Sequence, residues 1–161
     1  METNPYASCL GDQDARAVLA ATPGLLHTAV SALTPEQIEA PIAPGKWSPR
    51  QIVAHLADCE LAFSFRMRQA LTDPPPVVQP FDQTQWAVHY GVYDMASALE
   101  LFRMTRGWNL KLIGGLSTAD FAREVTHPER GTITFQTIVE TIAGHDLNHL
   151  PQLQRLVGEQ S

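Results

Sequence analysis

Four long stretches of this chain run free of turn clusters, and Pro- and Gly-rich breaks separate them. The stretches cover about Asp12–Leu33, Ser48–Leu71, Asp94–Leu116 and Thr134–Val157, and each opens with a helix-start signal. Ser48-Pro49 is a cap followed by proline at the first helical position, where the missing N–H costs no hydrogen bond. Gly158 stands where it can close the fourth stretch. Pro23, with Thr22 before it, either kinks the first stretch or restarts it with Thr22 as cap. Pro151 removes the backbone bond to the carbonyl of Leu147 and is expected to bend the fourth helix.

Apolar spacing turns these stretches into an architecture. Ile52, Leu56, Cys59, Phe63, Met67 and Leu71 recur at steps of three and four, which lines one face of a helix. Phe135, Ile138, Ile142, then positions 145, 149, 152 and Leu156 keep the same rhythm. Strand signals are thin, with room in VTHPERGTITF for a short extended turn. Helices of this length with one stripe each predict an all-α four-helix bundle, a single domain over 1–161. The connection from Thr72 to Tyr93 is too long for a hairpin, so a crossover is expected, with FDQTQWAVHY forming a short helix or a lid.

Charge narrows the function. Eleven basic residues against seventeen acidic leave a formal net charge of −6, with no Lys/Arg cluster of the kind that binds phosphate backbones, so no nucleic-acid partner is expected. Cys9 and Cys59 are the two cysteines, too few for a disulfide scaffold and consistent with a reducing compartment. METNPYASCL lacks the layout of a signal peptide, and no apolar run approaches 18 residues. A cytoplasmic protein without a membrane partner is the expectation.

Polar residues interrupt the stripe of the fourth helix where burial is expected: His145, His149 and Gln152, in GHDLNHLPQL. Two histidines at i and i+4 lie one above the other and can share one divalent ion. Imidazoles on a core stripe must be hydrogen-bonded or ligated to offset desolvation, so satisfied core histidines are the alternative. His55 borders the stripe of the second helix, and Asp58 lies one turn further on the same side. Three neutral imidazoles with positions left open for water or substrate describe a catalytic-type centre.

GKWSPRQIVAHLADCE, PFDQTQWA, HPERGTITF and GHDLNHLPQL follow one another in this order. With them the chain resembles the DinB-like superfamily from about Asp12 to Val157, and within it the YfiT-type metal-dependent hydrolases, a branch that includes bacillithiol S-transferases. The resemblance implies a four-helix bundle with a crossover connection, often a homodimer, and metal ligands at His55, His145 and His149. It implies Zn or Ni as the ion, with Mn as a further candidate. It also implies a small-molecule thiol and an electrophile as substrates, or water in place of the thiol.

Other residues carry two readings each. Asp58 is a candidate to hydrogen-bond a ligand imidazole, a bound water or an Arg, and Gln152 to contact bound water or fill a core gap. Arg66, Arg68, Arg103 and Arg106 are either a clamp for an anionic thiol or ordinary surface arginines. Trp47, Phe81, Trp86 and Tyr90 are expected as core plugs ahead of substrate contacts. His89 and His127 lie in connections, off the ligand set, and Cys59 reads as a small buried hydrophobe. Two functions stay open: a metal-dependent S-transferase or hydrolase, and a non-catalytic, stress-associated metal-binding interaction module. An open cavity reaching the histidines favours the first, and a cavity filled by side chains the second.

Overall fold

A computed structural model describes residues 3–74 and 77–158. A short first helix, α1 (Ala7–Leu10), precedes α2 (Ala15–Ser31), α3 (Pro35–Glu39) and α4 (Pro49–Ala70). Then come α5 (Gln83–Ala87), a 3-10 turn at Tyr90–Val92, α6 (Met95–Gly114) and α7 (Thr118–Phe121). The hairpin β1 (Glu124–His127) and β2 (Gly131–Thr134) leads into α8 (Phe135–Gly158).

The caps explain where the long helices begin. The Asp14 carboxylate accepts from the N–H groups of Arg16 and Ala17, starting α2 a turn later than the first acidic residue of that stretch. Ser48 and Gln51 form a reciprocal capping box on α4 with Pro49 at its start, an arrangement that contributes about 1 kcal/mol. Asp94 caps α6 through the N–H of Ser97, and the Thr134 hydroxyl accepts from the N–H of Thr137 at the head of α8. Pro23 lies inside a continuous α2, and Thr22 is no cap: its hydroxyl donates to the carbonyl of Val18. Likewise α8 runs on through Pro151 to Gly158.

The four long helices pack in a ring, with α2 against α6 and α8, and α4 against α6 and α8. Helices α2 and α4 therefore stand across a diagonal, and so do α6 and α8. The Thr72–Tyr93 connection supplies α5, as expected of FDQTQWAVHY, and positions 75–76 within it lie outside the described residues. The extended turn is a two-stranded antiparallel hairpin, with Glu124 paired to Thr134 and His127 to Gly131. Gly131 adopts φ +74°, a conformation that side chains with a Cβ resist.

Two apolar clusters fill the bundle. One gathers Phe63, Met67, Ile113, Ile138 and Ile142, and the other Leu26, Ile52, Leu56, Phe102 and Leu153. A buried polar layer crosses all four long helices between them: Thr22, His55, Glu60, Arg106, His145, Asp146 and His149. Among the described residues, no helix is long and apolar enough to cross a membrane.

Candidate metal centre

Helices α4 and α8 face each other across the polar layer, and their stripes bring His55 to His145. The two Nε2 atoms stand 3.0 Å apart. Imidazoles on one tetrahedral ion, with bonds of about 2.0–2.1 Å, place their nitrogens about 3.3 Å apart and their rings about 5 Å apart. The rings of His55, His145 and His149 form a triangle with centroid separations of 5.0, 5.0 and 4.7 Å. The Nδ1 of His149 is buried with no hydrogen-bond partner. A buried polar atom left so is costly, and a metal ion would satisfy it. The donor set fits a borderline ion such as Zn.

Cys59 is buried, as expected, and also stands beside the histidines. It lies one turn after His55, with Sγ 3.6 Å from both ring nitrogens. The donor atoms of His55, Cys59 and His145 all lie within 4.8 Å of one another, so this thiol belongs to the compact donor group. The signal was present in the sequence: positions i and i+4 share a helix face, whatever the residue types.

Electrostatics keep the imidazoles neutral, the form that ligates metal. Burial pushes His55 down to about 3, and the neighbouring His149 adds to that. Burial takes His149 to about 4, opposed by the Gln152 amide oxygen, which as an acceptor favours the protonated ring. His145 falls well below the usual histidine range through burial, its two histidine neighbours and Arg106. Burial also raises the Cys59 thiol, and the charge of Asp58 adds to the rise.

Aromatic side chains close the centre from the α4 entry side. Trp47 lies tilted against His55 at 4.8 Å between centroids and stacks near His149 at 6.5 Å. The Tyr90 hydroxyl is 3.3 Å from His55 Nδ1, and Tyr90 is fully buried. Two of the four aromatics expected as plugs thus touch the histidines. Phe81 and Trp86 stack on each other at 4.5 Å, Phe81 in the wall of the cavity that His145 also lines.

Asp58 and Gln152 lie beside the donors, Asp58 near Cys59 and Gln152 near His149. Asp58 is half-buried and, among the described residues, hydrogen-bonds to none of the three histidines; burial raises its carboxyl. The Gln152 amide nitrogen donates to the carbonyl of Asn148 at 3.1 Å. The buried stripe passes from His149 to Leu153, because a helix turns in 3.6 residues and not 3.5, so Gln152 sits at the edge of the core.

The four arginines divide. Arg103 forms an exposed pair with Glu100, and Arg68 bonds the Ser64 carbonyl and Asn109 across α4 and α6. Arg106 is 1% exposed, which corrects the surface reading: its charge is buried beside the carboxylates of Glu60 and Asp146. Burial opposes that charge, but Asp146 and Glu60 together hold the guanidinium above its usual range. Arg66 lines a cavity.

That cavity, of about 730 Å³, opens beside the histidines. Buried His145 and Cys59 line it together with Tyr6, Arg66, His127 and Arg130, among others. His127 is 2% exposed, and its Nδ1 accepts from the N–H of Glu129, which places it in the hairpin wall and apart from the histidine triangle. His89 is exposed at the start of the 3-10 turn.

Known proteins match this chain over most of its length. A family model described as the DinB superfamily matches residues 19–153. The protein named "Putative metal-dependent hydrolase OB0782" from Oceanobacillus iheyensis is 31% identical over 137 residues, which is 83% of this chain and 78% of that protein. "Putative metal-dependent hydrolase YfiT" from Bacillus subtilis is 28% identical over 142 residues, 86% of this chain and 80% of its own. The solved structure of the Bacillus subtilis protein, described as "a probable metal-dependent hydrolase with an unusual four-helix bundle topology", matches with a TM-score of 0.79. That match has 28% identity and covers 89% of this chain and 86% of the other.

Proposed function

The chain belongs to the DinB superfamily, and from that footing we propose that it is a metal-dependent enzyme whose His55, His145 and His149 hold one divalent ion. The observation that carries the reading is the cavity of about 730 Å³ that buried His145 and Cys59 help to line, a volume suited to a small substrate. A histidine cluster sealed by side chains would favour the interaction module; this one has a chamber beside it.

When bound, a divalent ion such as Zn or Ni supplies positive charge that lets water or a thiol lose its proton near neutral pH. The chain's own groups do the rest. Neutral imidazoles leave the ion's charge undiminished. Tyr90 meets His55 at Nδ1, which directs the other ring nitrogen, Nε2, toward His145. Trp47 and Phe63 exclude bulk water from the imidazoles. The cavity admits a second reactant beside Cys59 and His145, which favours transfer of a small-molecule thiol to an electrophile, with hydrolysis as the alternative outcome.

The test is one sample carried through chelation and reloading. Metal content, thiol-conjugation rate with a generic electrophile, ester hydrolysis and circular dichroism are followed together. Activity lost on chelation and restored by Zn or Ni, with the helical signal unchanged, is the expected result. A purified protein that takes up no stoichiometric metal, or whose rate ignores it, overturns the reading.

A further inference from the structure

Arg66 is a buried cation, 7% exposed, and among the described residues no carboxylate forms an ion pair with it. Its one hydrogen bond runs from Nη2 to the carbonyl of Gln79, at 2.6 Å. Its guanidinium is flanked by the rings of Phe63 and Phe81, at 5.7 and 5.1 Å. Those contacts fix the side chain without neutralising it, and a desolvated charge calls for a counter-charge. Arg130 lines the same cavity, half-exposed, and lies close enough to depress Arg66, as burial does first.

From this juxtaposition we propose that the part of the cavity lined by Arg66 and Arg130 is a carboxylate-binding subsite, in which the two arginines hold the acid group of a small substrate. The identity of the reacting end rests on the function proposed above; the subsite itself does not. A guanidinium fork matches a carboxylate's two oxygens, and Arg66 keeps donors beyond the one given to Gln79. The acidic residues of the wall, Asp82 and Glu129, are exposed at its rim, and Asp82 already accepts from the N–H groups of Thr84 and Gln85. With these two carboxylates against the two guanidiniums, the wall carries no excess positive charge for a dianion, which favours the single charge. His127, deeper in the wall, is held below the usual histidine range by burial and by the two arginines, so it adds no charge near neutral pH.

The same contacts measure the substrate. From the Arg66 guanidinium to the Phe63 ring is 5.7 Å, and from that ring to the His145 ring 6.3 Å. Laid end to end, those legs put the Arg66 guanidinium no more than about 12 Å from the His145 ring, which sets an upper limit in the range of small molecules.

The subsite is read without metal. Glutarate and its uncharged diamide are titrated by calorimetry into the chelated protein, and into its Arg66→Lys and Arg130→Gln variants, with circular dichroism confirming the fold. Glutarate should bind and the diamide should not. Each variant should weaken glutarate about tenfold or more, the loss expected for one charge-assisted bond. In a second arm, 3-mercaptopropionate and 3-mercaptopropanol are added to cobalt-loaded protein, and the thiolate-to-cobalt absorption is followed. The acid should bind more tightly than the alcohol, and Arg130→Gln should erase that preference. No glutarate binding by the wild type, equal binding of the diamide, or folded variants indistinguishable from wild type would each overturn the subsite. Glutarate binding with the expected losses, but no thiolate absorption from either thiol, would uphold the subsite and remove the thiol reading of the metal centre.

Discussion

Arg106 donates to both carboxylate oxygens of Asp146, at 2.7 and 3.2 Å, and Asp146 directly follows His145 on α8. The same guanidinium reaches Glu60 on α4 at 2.8 Å and the carbonyl of Leu19 on α2 at 3.2 Å. One side chain on α6 thereby bonds to each of the other three long helices. His145, which lines the cavity, is consequently mounted on the residue that anchors α8 to the rest of the bundle.

The cluster sets two carboxylates against one guanidinium, so the three variants should differ. Asp146→Asn or Glu60→Gln leaves a matched pair and should cost about 1–3 kcal/mol in lost charge-assisted hydrogen bonds, whereas Arg106→Met strands both carboxylates and should cost about 3–5 kcal/mol or more. Urea unfolding followed by circular dichroism checks the order. A midpoint unchanged in Arg106→Met would show that the cluster holds nothing together.

The donors of the metal centre should not be equivalent. His145 belongs to the compact donor group and to the cavity, so His145→Ala should abolish stoichiometric metal binding. Tyr90→Phe removes the hydroxyl at His55 Nδ1 and should weaken metal affinity by about 10-fold or more, whereas Asp58→Ala, which breaks no bond to a histidine, should act less. Competition against a chromogenic chelator separates these effects. Equal losses in Tyr90→Phe and Asp58→Ala would contradict the arrangement.

Metal-free protein should show a specific pH dependence. Unfolded histidines take up protons near pH 6.5, while folded His149 and His55 resist until about 4 and 3. Between those limits the unfolded state binds more protons, so stability is full above about 6.5 and falls as pH drops through the window. Each such histidine contributes a slope of up to about 1.4 kcal/mol per pH unit. Denaturant midpoints from pH 7.5 to 4.5 give the slope, and His149→Ala should flatten it. A profile flat across that range would mean the imidazoles are not desolvated.

Gly144 is a point of close approach. A Cβ built there would lie 2.5 Å from the carbonyl oxygen of Tyr6 and 2.7 Å from its Cβ, both parts of the segment leading into α1. Gly144→Ala should destabilise the fold by about 1–3 kcal/mol, or push that segment off α8 and widen the cavity wall that Tyr6 supplies. Thermal unfolding reports the first outcome, and proteolytic nicking near the N-terminus the second. An alanine variant identical to wild type in both would show that the segment yields freely.

Much of the bundle was legible because helices announce themselves locally. Ser48-Pro49 and the stripe from Ile52 to Met67 specify α4 without reference to any other part of the chain. The i, i+4 pair His145 and His149 was legible for the same reason. Where the stripe was extended to Gln152 it went astray, because a small drift per turn accumulates to one residue, and Leu153 is the buried position. Arg106 gave no local sign of its burial. Its partners, Glu60 and Asp146, lie on other helices, 46 and 40 positions away, and each alone looks like a solvated charge. Cys59 was placed on the right face but weighed as packing, since nothing in its neighbourhood shows that His145 comes from another helix to meet it.

The donor atoms sit on α4 and α8, whose positions the buried core and the ion cluster hold fixed. Most of the cavity's wall comes from elsewhere: the segment before α1, the crossover near Phe81 and the turn of the β-hairpin. Apart from Phe63 and Arg66, which share α4 with His55 and Cys59, the wall is thus written on segments that carry none of the donors. Exchanging residues in those three connecting segments reshapes the cavity while every donor atom stays in place, which makes them the natural positions for a library that varies what the cavity accepts.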